Sequence, residues 1–130
     1  MLEEESKYES YNLKQTIDRF EKMIEQGFFS YFDSEEIENI INYFINNEDR
    51  EKIKKAIQLA DKLFPFSINL KIKKAQVLVS FNKSNYALKE LKKIEYLAKN
   101  NDDFIFTMAV SYSNLKQHKK ALNLFDKLYE

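Results

Sequence analysis

Apolar residues recur along this chain at the spacing of one face of a helix. Leu13, Ile17, Phe20 and Ile24 fall at i, i+4, i+7 and i+11, and Ile37, Ile40, Ile41, Phe44 and Ile45 complete an i, i+3, i+4, i+7, i+8 stripe. Ile53, Ile57, Ala60 and Phe64 repeat the pattern, followed by Ala75, Leu78 and Val79. Three more stripes close the series: Ala87, Leu91, Ile94 and Ala98; then Ile105, Met108, Ala109 and Tyr112; then Ala121, Leu124, Phe125 and Leu128. Polar side chains fill the positions between, so seven amphipathic helices are predicted, the first over residues 8–27 behind an acidic tail. The punctuation agrees. Asp33 with Glu36 has the form of a capping box, and Asp49, Ser67, Ser84 and Asp102 each precede a stripe, where a short oxygen-bearing side chain is the expected N-cap. Pro65 ends the third helix, because proline disfavours the α conformation in the residue before it.

The stripes repeat as a block. Residues 34–67, 68–101 and 102–130 superimpose at a shift of 34 without a gap. Under that shift Phe44, Leu78 and Tyr112 align, as do Ile41, Ala75 and Ala109, then Ile53, Ala87 and Ala121, then Ile57, Leu91 and Phe125. The alanines fall where two helices of a hairpin must approach closely, and the large residues fill the gap between hairpins. A helical hairpin of this period resembles the tetratricopeptide repeat. The match is best in the third block, through Ile105-Phe-Thr-Met-Ala109-Val-Ser-Tyr112 and Ala121-Leu-Asn-Leu-Phe125. The second block matches through Ala75, Leu78, Ala87 and Leu91, and Pro65 stands where such a repeat often ends. Bulky Ile41 and Ile53 depart from the pattern, and the turn glycine is replaced by Glu48, Asn82 and Lys116, of which asparagine best tolerates the left-handed conformation.

The resemblance covers residues 34–130 and implies an all-α fold, an α–α superhelix or right-handed solenoid of helical hairpins. Residues 1–33 then supply an acidic tail and an N-terminal capping helix, and 34–67, 68–101 and 102–130 are the repeats. No polar capping helix follows the last stripe, so the expectation is a bacterial-type member of the family, seen as the N-terminal portion of a longer solenoid.

Composition narrows the chemistry. The 130 residues include no Cys, one His, one Gly and one Pro, which leaves no thiolate ligand or nucleophile and no glycine-rich phosphate loop. His118 has no second ligand beside it in sequence and is expected to be a packing or surface residue at a helix start. The carboxylates at Glu3-Glu4-Glu5 and Glu35-Glu36-Glu38 read as a solvated tail and a helix first turn, where negative charge suits the dipole. No catalytic constellation, metal or cofactor is expected. No apolar run is long enough for a membrane span and no basic-then-apolar leader is present, so a cytoplasmic protein is expected.

Net charge is zero, but residues 1–51 carry 14 acidic against 5 basic side chains, and residues 52–101 carry 12 lysines against 3 acids. The lysines of the second block (Lys71, Lys73, Lys74, Lys83, Lys89, Lys92, Lys93, Lys99) are spread around both helices with no arginine among them, so nucleic acid is not the expected partner. An acidic partner on the middle repeat, or the acidic front of another copy, fits better. Phe28, Phe29, Tyr31 and Phe32 are expected to fill the junction between the first helix and the first hairpin.

Proteins of the resembled family bind an extended peptide or partner helix along the first helix of each hairpin. Carried over by alignment, the groove comprises Asn39, Asn42 and Asn46, then Ile72, Lys73, Gln76 and Val79, then Phe106, Thr107, Val110 and Asn114. The family's chaperone-tail binders clamp a terminal carboxylate with Lys, Asn and Arg. The matching positions here are Glu38, Asn42, Lys73, Asp103 and Thr107, and Asp103 would repel that group. The expected function is a non-catalytic scaffold or adaptor for a protein or peptide. The alternative is a self-assembly module, with Leu124 and Leu128 on an uncapped last helix forming a homo-oligomer face.

Overall fold

The computed structural model describes residues 2–129, which form seven helices and no strand. They are α1 (Leu2–Gln26), α2 (Ser34–Asn46), α3 (Arg50–Leu63), α4 (Ile68–Ser80), α5 (Ser84–Ala98), α6 (Asp102–Asn114) and α7 (His118–Leu128). The first helix of each predicted block begins at the block's first residue. The turns inside the hairpins are three copies of one backbone motif. Glu48, Asn82 and Lys116 have φ of 54°, 60° and 63°, the left-handed region, at intervals of 34 residues. The next residue donates its N–H back across the turn each time: Asp49 to the Phe44 carbonyl at 3.0 Å, Lys83 to Leu78 at 2.8 Å and Gln117 to Tyr112 at 2.9 Å. The N-caps of the first helices, Asp33, Ser67 and Asn101, keep the same interval, and each accepts a backbone N–H three residues on.

Four expectations change in detail. First, α1 starts at Leu2, so the acidic segment is helix rather than tail. That stretch has no apolar stripe to announce it, but neither glycine nor proline interrupts it, and Glu4 and Glu5 in the first turn suit the dipole. Gly27, at φ 72°, closes the helix with its N–H on the Met23 carbonyl. Second, the α6 cap is Asn101, whose side chain accepts from Phe104 N at 3.0 Å, and Asp102 is the first helical residue. Third, Ser84 begins α5 without capping it, and its buried hydroxyl accepts from Asn114 Nδ2 at 3.0 Å. Fourth, of the four aromatics after α1 only Phe32 is buried, while Phe28, Phe29 and Tyr31 are exposed.

The chain divides in sequence between Pro65 and Phe66 into two compact units. In the first, α2 pairs with α3 and α1 lies against α2. Ile17 and Phe20 from α1 meet Phe32, Ile37, Ile40, Ile41 and Phe44 in its core. The Phe20 ring stands 6.2 Å from Phe32 and 5.7 Å from Phe44. In the second unit α4 pairs with α5 and α6 with α7, and α6 also rests against both α4 and α5. The core here joins Ile72, Ala75, Ala87, Leu91 and Ile94 to Phe104, Ile105, Met108 and Tyr112. Small Ala75, Ala87, Ala109 and Ala121 are all buried, as the packing argument requires.

Candidate functional site

In the first unit, Asn39, Asn42 and Asn46 project from α2 and are exposed. Asn39 borders a cleft of about 680 Å³ between α1 and α2, whose walls include Asn12, Gln15, Arg19, Glu35 and Glu36. The cleft's polar groups are engaged with one another. Arg19 Nη2 lies 2.9 Å from Glu36 Oε2 with its guanidinium 4.3 Å from the Phe32 ring centroid, and Glu36 Oε1 accepts the Asp33 N–H at 3.0 Å. Glu36 therefore closes the capping box of α2 with one oxygen and holds α1 with the other.

In the second unit, α4 and α6 lie side by side. Gln76 Nε2 donates to Thr107 Oγ1 at 3.4 Å, so these two predicted groove residues do meet. The Thr107 hydroxyl in turn donates to the Asp103 carbonyl at 2.7 Å, one turn back on its own helix. Lys73, Val79 and Val110 are half-buried, and Phe106 and Asn114 are exposed. Ile72 and Thr107 are buried and present no surface to a partner, which corrects their assignment as groove contacts. Phe106 leans toward α7, its ring edge to face with Phe125 at 6.0 Å, and Asn114 reaches α5 through Ser84. Aligning single positions locates a residue on a helix but not the neighbour its side chain selects, and both of these contacts went unforeseen.

Leu124 and Leu128 are half-buried against the second unit's core, while Leu122 on the same helix is exposed. His118, the first residue of α7, is exposed. Among the described residues, no three His, Cys, Asp or Glu side chains converge on a metal position, and no helix is long and apolar enough to cross a membrane. One lysine is perturbed. Lys52 Nζ lies 2.6 Å from Glu21 Oε2, and that hydrogen bond, reinforced by the charges of Glu21, Asp49 and Glu25 and opposed by burial, raises its pKa above the ordinary 10.5. It ties α3 to α1, a structural rather than a chemical task. No protein-family profile, curated protein or solved structure matches the chain.

Proposed function

We propose that this chain is a non-catalytic binding module, an α–α superhelix of tetratricopeptide-like hairpins in which the first helix of a hairpin presents an acidic, extended peptide. The observation that carries the reading is the recurrence of one backbone turn at Glu48, Asn82 and Lys116, 34 residues apart, each joining two helices of similar length. The side-by-side seating of α4 and α6 supports a preformed face on the second unit, with Lys73, Gln76, Val79 and Val110 along it. The charge of that unit supports an acidic ligand, since residues 66–130 contain 12 lysines against 6 acidic side chains. Gln76 offers both a donor and an acceptor to a peptide backbone. A chain with no cysteine and one histidine supports a non-catalytic role, and the lack of cysteine suits a reducing cytoplasm.

The test is a positional-scanning peptide array read by fluorescence anisotropy. Peptides rich in Asp and Glu are expected to bind, and Gln76→Ala with Val110→Asp is expected to weaken them at least about tenfold with the melting temperature held. An array with no binder, or a variant that binds as the parent does, overturns the reading.

A further inference from the structure

Hairpins α4–α5 and α6–α7 share one turn and align at 34 residues, so each residue of the first has a counterpart in the second. The contact of α6 with α4 and α5 is part of a core in which Ile72, Leu88, Leu91 and Ile94 are buried. Their counterparts on the last hairpin are Phe106, Leu122, Phe125 and Leu128, all still apolar. The difference lies in their cover. Ile72 is 3% exposed and Phe106 49%, while Leu88 is 7% exposed and Leu122 59%. Phe125 and Leu128 are half-buried, and the edge-to-face pair of Phe106 with Phe125 joins both helices into one apolar face. The molecule thus builds the same packing surface twice and covers it once. Leu124, in contrast, has Glu90 as its counterpart and packs inward, so Leu122 and Phe106 are the side chains that mark the face.

The charges at the two ends of this face are of opposite sign. The hairpin sets the first turn of α6 beside the last turn of α7, bringing Asp102, Asp103 and Asp126 to one end with a single lysine, Lys127. The other end carries Lys116, Lys119 and Lys120. These last two lie in the first turn of α7, against that helix's own dipole, and the N-cap residue Gln117 makes no side-chain cap. Negative charge arriving from outside would relieve that end.

We propose that the α6–α7 face pairs with the same face of a second copy of this chain, antiparallel about a twofold axis, with the acidic end of each copy against the basic end of the other. A twofold interface uses one patch twice, so a face with opposite charges at its two ends is self-complementary only in the antiparallel sense. The apolar centre supplies the burial and the ends fix the orientation. The inference rests on the register of the hairpins and stands apart from the peptide reading.

Light scattering on a size-exclusion column decides it. The 130-residue chain at micromolar concentration and low salt is expected to show twice its 15.6 kDa mass. Phe106→Asp with Leu122→Glu is expected to run as a monomer with unchanged circular dichroism. A monomeric parent, an assembly larger than two, or a folded double variant that remains dimeric overturns the proposal. Should the double variant fail to fold, charge reversal still decides. Lys119→Glu/Lys120→Glu and Asp103→Lys/Asp126→Lys are each expected to be monomeric alone and to form a one-to-one dimer when mixed. Dimers of either alone, or no dimer on mixing, overturn the antiparallel pairing.

Discussion

Lys52 concentrates several contacts in one side chain. Its ammonium reaches Glu21 on α1 at 2.6 Å and Asp49 at 3.9 Å, and it lies 5.4 Å from the Phe44 ring centroid. Because its folded pKa is raised above the ordinary 10.5, the stabilisation is complete below that pH and is lost as pH climbs through the folded value. Lys52→Met is expected to lower stability near neutrality by about 0.5–1 kcal/mol, the range for a partly exposed pair. Urea melts of parent and variant should converge above pH 10.5. Glu48 and Lys116 present the opposite situation, a left-handed backbone held by residues with a Cβ. Replacing either with glycine is expected to raise stability by about 0.5–1 kcal/mol, while Asn82→Gly stays near zero, because asparagine already tolerates the conformation. These turn positions were legible in the sequence, since the repeat's alignment alone picked all three. The cap of α6 was not. Asn101 and Asp102 are both good caps, and only the backbone decides which residue is half outside the helix.

At the scale of elements, α1 has two halves with different physics. Residues 4–12 are exposed throughout, including Tyr8 and Tyr11, whereas Thr16, Ile17 and Phe20 are buried. Phe20 touches both Phe32 and Phe44, so Phe20→Ala is expected to cost about 3–5 kcal/mol, and Tyr8→Ala less than about 0.5 kcal/mol. Chemical denaturation of the two variants checks the contrast. The exposed half explains what pattern reading missed. An amphipathic stripe reports burial, and a helical segment that buries nothing leaves no stripe to find. The aromatic run after Gly27 failed for the complementary reason. Its composition announced bulk at the junction, but only Phe32 faces inward, and the ring of Tyr31 instead meets Phe64 at 6.4 Å.

On the scale of the molecule, neutrality conceals two oppositely charged units, residues 1–65 with 15 acidic against 9 basic side chains and residues 66–130 with the reverse imbalance. The division of charge was readable from the sequence, but the candidate face was not. Phe106 and Leu122 look like ordinary helix residues until their counterparts Ile72 and Leu88 are seen to be covered.

The shared turn has a consequence for how such a chain grows. Hairpins with one turn and one spacing invite duplication, yet they are not interchangeable. Where α6 buries Ile105 and Met108, α4 carries Lys71 and Lys74. A second copy of the last hairpin, inserted in frame, would set isoleucine and methionine on Phe106 and Leu122. A copy of the middle hairpin would set two lysines there and leave the apolar face unmatched. The order of the hairpins is therefore written on the leading side of each, as a grammar that permits some successors and refuses others.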